Sequence, residues 1–512
     1  MLSRQLLRHR PRLTTLTPLS RPAQRPMARF SSTETTGKPF LTRNAAVAFA
    51  AGLASATLVY WFTTSSSSQP TSGSPAKSFS DILEDNKARR VPDLNKLGLS
   101  DKIAYSPPLS LEDVTQHLNE HAFSLPGGGA AAGLVTRYDG TQVASNSPCE
   151  DAFIHGTFTN PFDPKGDEWS AWAVFDGHCG WQLSNLLTKQ LMPYVRRALG
   201  DVKPKDGSSQ VDEQTLQQAL KSAFTTLDDA LVKSALATIE SSLPFAEKVR
   251  RLEAAYAGSC ALLTLFDPAS RKLTVASTGD CRAVLGRKAA DGQKWEARDL
   301  STDCTGASPS EAARIQAQFP DEPEIVRGGR VWGMQPSRTF GDGMWKWSSK
   351  LKEKLRNEYN GLSLPSAVRY GAYKDGPYLT AEPLVTTTEI PESEPAFLII
   401  ATDGLWDTMS SAQAVDLVGR WLEWQAQARR QPVKPSRSSL GGPTILGRSR
   451  ACGYEEQKTT VQDDNAAVHL VRNALGGGDE EMVRGALTFR YPNSRDIRDD
   501  ITVQVVFFNS AK

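Results

Sequence analysis

Three aspartates stand at the edges of apolar runs: Asp176 at the end of Trp172-Ala173-Val174-Phe175, Asp403 after Phe397-Leu398-Ile399-Ile400-Ala401-Thr402, and Asp499 before Asp500-Ile501-Thr502-Val503. A carboxylate at the end of a buried strand is costly to desolvate alone, so three from distant segments converge most simply on divalent metal ions. Taken singly, each reads first as an N-cap or turn residue, because Asp and Gly favour turns for local backbone reasons; three together, one followed by His178, weaken that reading. The chain has only 6 histidines and 6 cysteines, with no CxxC pair and no zinc-type spacing, so hard oxygen ligands select Mg2+ or Mn2+ over zinc. Two such ions sharing a carboxylate lower the pKa of a water between them and aim it in line at a phosphorus. His178, in Asp176-Gly177-His178, is then the natural general acid for the leaving oxygen, since imidazole titrates near neutrality.

The elements that must hold these groups are legible as patterns. Residues 169–175 alternate as a strand that feeds the Asp-Gly-His turn, and 181–199 carry Leu183, Leu186, Leu187, Leu191 and Val195 at helical spacing. Residues 260–266 and 273–285 predict adjacent strands, the second broken at Thr278-Gly279-Asp280 as a hairpin turn would break it. Ser308-Pro309 opens a helix reaching residue 319, with Glu311 at a capping-box position, and further helices are predicted over 412–429 and 464–475. This is the pattern of an antiparallel meander rather than a parallel Rossmann sheet. No GxGxxG or GxxxxGK[ST] follows a strand, so nothing supports nucleotide binding by such loops. Residues 430–457, rich in Pro, Ser, Gly and Arg, read as a basic surface insertion, either merely solvated or touching an acidic partner or lipid head group. The formal charge is only +2 and no basic stripe interleaved with aromatics occurs, which argues against a nucleic-acid partner.

The N-terminal region has another character. Arg4, Arg8, Arg10, Arg12, Arg21, Arg25 and Arg29 precede the first acidic residue, Glu34, among Ser, Thr and Leu, which is the composition of a mitochondrial transit peptide over 1–31. Residues 45–62 are uncharged, end near Tyr60-Trp61 and reach about 27 Å as a helix, enough for a single transmembrane segment; their Ala, Gly and Ser content equally suits a sorting segment. Residues 63–96, rich in Ser, Thr and Pro at their start, form a flexible linker to a domain over 97–512. The expected location is the mitochondrion, anchored in the inner membrane through 45–62. With the arginines left in the matrix, the positive-inside preference puts the domain in the intermembrane space, whereas full import puts it in the matrix.

Seven segments then occur in order: Glu150-Asp151, Val174-Phe175-Asp176-Gly177-His178, Ala257-Gly258-Ser259-Cys260, Ser277-Thr278-Gly279-Asp280-Cys281-Arg282, Arg338-Thr339-Phe340-Gly341-Asp342, Ala401-Thr402-Asp403-Gly404-Leu405-Trp406 and Arg498-Asp499-Asp500-Ile501-Thr502-Val503. Together they resemble the motifs of the metal-dependent type 2C protein serine/threonine phosphatases. Within that family, Asn146-Ser147-Pro148-Cys149-Glu150-Asp151, Tyr378-Leu379-Thr380-Ala381-Glu382-Pro383 and Asn465-Ala466-Ala467-Val468-His469-Leu470 are similar to the mitochondrial pyruvate dehydrogenase phosphatase type.

The resemblance implies an α+β fold, a four-layer α/β/β/α sandwich of two antiparallel sheets flanked by helices, with the site at one end. It implies that Asp176 bridges two metal ions, with the Gly177 carbonyl on one of them. Asp403 and Asp499 complete the direct shell, Glu150 and Asp151 hold metal-bound waters, and Asp303 with Asp403 binds a weaker third ion. Asp500 supports the shell as a neighbour of Asp499. The implied partner is a phosphoprotein substrate, the phosphorylated subunit of the pyruvate dehydrogenase complex, with another mitochondrial phosphoprotein as the alternative. A catalytically dead scaffold would have lost metal carboxylates, and Asp176, Asp403 and Asp499 are all present. Two positions depart from the family pattern. Asn146 stands where many members carry an arginine that grips the substrate phosphate, leaving one amide donor there and Arg338 as a weaker candidate. Cys304 follows Asp303 where His is common.

Overall fold

The computed structural model describes residues 109–509 apart from 203–210, 360–374, 437–451 and positions 129, 130, 132, 164, 290, 291, 293 and 428. The expected transit peptide (1–31), membrane or sorting segment (45–62) and linker (63–96) lie outside the described residues, as does the middle of the basic insertion over 430–457. Among the described residues no helix is long and apolar enough to cross a membrane.

The strands, in chain order, are β1 (Phe123–Leu125), β2 (Val135–Val143), β3 (Ala152–Phe158), β4 (Trp169–His178), β5 (Gly258–Asp267), β6 (Lys272–Thr278), β7 (Arg282–Lys288), β8 (Trp295–Asp299), β9 (Val326–Arg327), β10 (Arg330–Val331), β11 (Phe340–Gly341), β12 (Leu384–Glu389), β13 (Ala396–Ala401) and β14 (Ile501–Phe508). One sheet runs β1-β2-β14-β13-β7-β8 and the other β12-β6-β5-β4-β3, with β11 pairing β5. Every pairing within them is antiparallel. Strand alternation explains why the central strands read as unbroken apolar runs. In β4, Trp172 and Val174 face the opposing sheet, while Trp169, Ala171, Ala173 and Phe175 face helices. In β13, Leu398 and Ile400 point inward and Phe397, Ile399 and Ala401 outward. Both faces are buried, so the polar half of the usual period-2 pattern is missing.

Helices Gln182–Gly200 and Glu213–Glu240 cover the outer face of the second sheet. Leu111–Asn119, Ser411–Gln425, Ala466–Ala474 and Glu480–Thr488 cover the first. The result is the four-layer α/β/β/α order that the resemblance implies. The helix expected from residue 464 starts at Ala466 because Asn465 caps it, its side chain accepting from the N–H groups of Ala467 (2.9 Å) and Val468 (3.0 Å).

Two local expectations fail for physical reasons. Thr278-Gly279-Asp280 is not a hairpin turn: β6 belongs to one sheet and β7 to the other, so this segment carries the chain across the sandwich. Gly279 permits the crossing with φ of +104°, and a Cβ there would lie 2.2 Å from the Cys260 sulfur. The helix Pro309–Gln318 forms, but Ser308 makes no side-chain cap and Glu311 closes no capping box. Its carboxylate turns inward instead to Arg314, Ser337 and Arg338.

Candidate active site

The site begins where the rows of inward-facing apolar side chains end. Asp176 is the next member of the inward row Trp172, Val174, and its Cα partner across the ladder is Cys260. Asp403 opens the short helix Asp403–Trp406 just beyond β13 and donates its backbone N–H to Asp176 Oδ2 at 3.3 Å. The crossover from β6 to β7 delivers Asp280, whose Oδ1 accepts from the Cys260 thiol (3.2 Å) and Oδ2 from Gln335 Nε2 (3.2 Å). Among the described residues, carboxylate oxygens of Asp176, Asp280 and Asp403 all lie within 4.8 Å of one another. Two of the three were expected from strand ends. Asp280 reads as a turn residue in sequence, and its only signal is membership in the Ser-Thr-Gly-Asp-Cys-Arg motif.

Two of these acids, Asp176 and Asp280, are held toward their neutral forms. Burial, then the charges of Asp403, Asp151 and Asp280, raise the Asp176 pKa well above the ordinary carboxylate range. Burial is also the main cause of the upward shift at Asp280. Converging carboxylates of this kind, one buried and two half-buried, need a cation to ionise together, and an all-oxygen donor set suits a hard divalent ion. The residues therefore fit the magnesium- or manganese-type centre expected from the sequence.

Around this group, Asp151 is buried and its Oδ2 accepts from the hydroxyls of Thr402 (2.8 Å) and Thr502 (2.7 Å). Its pKa is nonetheless raised well above normal, by burial and then by the Asp500 charge. Glu150 is raised too, chiefly by burial. Asp500 organises the loop that carries both residues. Its Oδ2 accepts from the Glu150 N–H (2.9 Å) and the Asn146 side-chain amide (2.9 Å), and its Oδ1 from the Asn146 N–H (2.8 Å). The Asn146 amide also donates to Glu150 Oε2 at 3.1 Å. Both of its N–H bonds are thus directed at carboxylates. Gly177 pairs with Ser259 in the β4–β5 ladder, between Asp176 and His178.

Asp499 stands outside the close trio. Its carboxylate meets the Arg495 guanidinium and accepts the Asp500 N–H at 2.8 Å. Asp303 is engaged by Arg282 through Nε (3.1 Å) and Nη2 (2.7 Å), and that guanidinium lies over the Trp406 ring. Cys304 beside it is buried, and burial pushes its thiol up to about 12. Arg338 is buried against Glu311, bonded to both carboxylate oxygens (3.0 and 2.9 Å) and to the Glu382 carbonyl (2.7 Å), so its guanidinium is already committed.

His178 has a partner not expected from sequence. Its Nε2 lies 2.8 Å from Oδ2 of Asp342, a fully buried carboxylate at positive φ that also accepts from the Thr339 hydroxyl at 2.9 Å. Burial works against imidazolium, but Asp342, and then Asp280 and Glu150, outweigh it and raise the His178 pKa. Gly258 makes this contact possible, since a Cβ there would fall 2.0 Å from His178 Nε2 and 2.3 Å from Asp342. Cys179 next door is exposed at its surface, yet desolvation of its sulfur, then the Asp342 and Glu150 charges, shift its thiol upward, away from thiolate.

A half-buried carboxylate trio beside a carboxylate-held imidazole can bind a divalent cation, orient a water and protonate a leaving oxygen. The protein phosphatase 2C family model matches residues 140–437. A protein phosphatase 2C homolog of Schizosaccharomyces pombe is 38% identical over 411 residues, spanning 79% of this chain and 86% of the relative. The mitochondrial [pyruvate dehydrogenase [acetyl-transferring]]-phosphatase 1 of Saccharomyces cerevisiae is 32% identical, over 74% of this chain and 69% of its own. The human protein of that same name is 29% identical, over 77% of this chain and 81% of its own.

Proposed function

The chain belongs to the protein phosphatase 2C family, and from that premise we propose that it is a mitochondrial protein serine/threonine phosphatase using Mg2+ or Mn2+, with phosphorylated pyruvate dehydrogenase as its substrate. The observation that carries the chemistry is the meeting of Asp176, Asp280 and Asp403 beside the His178–Asp342 pair. The substrate reading is supported by the names of the yeast and human relatives together with the arginine-rich N-terminus.

In this reading Asp176, Asp403, Asp499 and the Gly177 carbonyl would hold the ions directly, Glu150 and Asp151 would contribute from outside that shell, and Asp303 with Asp403 would serve a third ion. A divalent ion bound there supplies Lewis acidity, acidifying a water and offsetting phosphate charge. The chain does the rest. Asp342 fixes the His178 ring through Nε2 and favours the imidazolium, which leaves Nδ1–H as the proton for the departing serine or threonine oxygen. Thr402 and Thr502 keep Asp151 oriented, and Asp500 sets the loop that carries Glu150. Asn146 reaches phosphate only by releasing Glu150 or Asp500. For the N-terminal region the proposal is import through 1–31, inner-membrane attachment through 45–62 and a linker over 63–96.

The test is phosphate release from phosphorylated pyruvate dehydrogenase and from an unrelated phosphoserine peptide, with and without Mn2+, using the native chain and Asp176→Asn. Activity that needs Mn2+ and falls at least about a thousandfold in the variant is expected, since Asp176 is central to the centre. Equal rates in the two proteins would sink the metal mechanism. Release from the peptide alone would reassign the substrate to another phosphoprotein.

A further inference from the structure

A phosphate monoester must approach a site walled by carboxylates, and metal ions offset that charge at only part of its surface. A planar, bidentate cation at the rim is the usual complement for the remaining phosphate oxygens. Asn146 does not supply it, because both amide N–H bonds are directed at Glu150 and Asp500. Three other arginines lie in the motif segments, and each is committed elsewhere. Arg282 grips Asp303, Arg338 is buried on Glu311, and Arg498 is buried with its Nη2 on the Ala144 carbonyl at 2.8 Å.

Arg495 differs from all three. It sits on the 3-10 turn Asn493–Asp496, its side chain is 38% exposed, and its guanidinium rests on Asp499. It also acts electrostatically on Glu150, as His178 does, which puts cation and general acid within range of one carboxylate. The turn is firmly held. The buried Ser494 donates its hydroxyl to the Ser145 carbonyl, tying the turn to the loop that carries Asn146, and the Arg498 N–H donates to the Ser494 carbonyl at 2.9 Å. A guanidinium on a long stem above a rigid turn can keep one edge on Asp499 and present the other outward.

We propose that Arg495 is the phosphate-gripping residue of this site, binding the non-bridging oxygens of the substrate phosphate from the Asp499 side of the site. The inference rests on the phosphatase reading above and names the side chain that gives it affinity for phosphate. It also gives the C-terminal segment a role in substrate binding separate from the ligand role of Asp499.

The experiment compares the native chain with Arg495→Gln, Arg495→Lys and the double variant Asn146→Arg/Arg495→Gln in saturating Mn2+. KM for a phosphoserine peptide, inhibition by inorganic phosphate, and calorimetric binding of a non-hydrolysable phosphonate analogue of the peptide are measured. Loss of a charge-assisted bidentate contact predicts that KM, the phosphate inhibition constant and the analogue Kd all rise about 10- to 100-fold in Arg495→Gln, with kcat changed far less. Arg495→Lys should recover part of this, and arginine at 146 in the double variant most of it. Unchanged phosphate inhibition and analogue binding would overturn the assignment; if the half-saturating Mn2+ concentration moved instead, Arg495 would be only a counter-ion for Asp499. A native chain that binds the analogue but releases no phosphate would refute the catalytic reading while still reporting on Arg495.

Discussion

Two acidic sites in this protein have opposite electrostatics. At Glu311 a single carboxylate, 4% exposed, is met by Arg314, Arg338 and the Ser337 hydroxyl. Burial would raise its pKa, yet these donors bring it down to about 2. At the sandwich end, Asp176, Asp280 and Asp403 bring their carboxylates together; burial and then the neighbouring acids push Asp176 up, and burial is the main cause of the rise at Asp280. The first cluster is electrostatically complete within the chain. The second is complete only with something added, which is how a binding site differs from a structural ion pair.

Breaking the complete cluster should have the largest effect on stability. Glu311→Gln leaves Arg338 buried without its counter-charge and is expected to cost about 3–5 kcal/mol, with no rescue by Mn2+. The pH dependence carries a definite sign. Because the folded pKa, about 2, lies below the ordinary 4.5, the Glu311 contribution is fully present above about pH 4.5 and is lost as pH falls toward 2. Urea titrations between pH 3 and 7 should show this slope in the native chain and a shallower one in the variant. A loss under about 1 kcal/mol at pH 7 would mean that the pair contributes little.

The same contrast explains what was legible in the sequence. Asp176 and Asp403 stand out because each follows a strand buried on both faces, and the four-layer order follows from strands that are apolar throughout. Glu311 is misleading because Ser-Pro-x-Glu matches a helix start, whereas its real partners, Ser337 and Arg338, are distant in sequence. Asp280 is hidden by a turn tripeptide whose meaning depends on which sheet receives the next strand. Asp342 is marked only by its place in the Arg-Thr-Phe-Gly-Asp segment, and nothing local pairs it with His178, 164 residues away. Local patterns record local energetics; the pairing of distant acids and bases is fixed only when the sheets stack.

Asp280 sharpens the comparison from the incomplete side. If it belongs to the cation-binding group, Asp280→Asn should reduce kcat/KM about 10- to 100-fold and weaken Mn2+ activation to a similar degree, the scale typical of residues that support a metal centre. If it serves only the fold, through Cys260 and Gln335, the variant should lose thermal stability while the Mn2+ concentration for half-activation stays fixed. Measuring both quantities on one preparation separates the two roles.

The smallest effect carries the most specific sign. Asp176 has a folded pKa raised above its unfolded value, so in metal-free protein stability is highest below the unfolded pKa and declines as pH rises through the folded one. Asp176→Asn removes the charge that Asp403, Asp151 and Asp280 oppose. With a chelator at neutral pH the variant should therefore melt slightly higher than the native chain, on the order of 2 °C for about 1 kcal/mol in a domain this large. Excess Mn2+ should reverse the order, because binding stabilises only a chain that retains the ligand. The same substitution would then stabilise the empty protein and destabilise the loaded one relative to native. At Glu311 no solution condition reverses the sign in this way, since its partners are built into the chain. A variant less stable than native with the chelator present would show that Asp176 is compensated internally, and would erase the distinction between the two clusters.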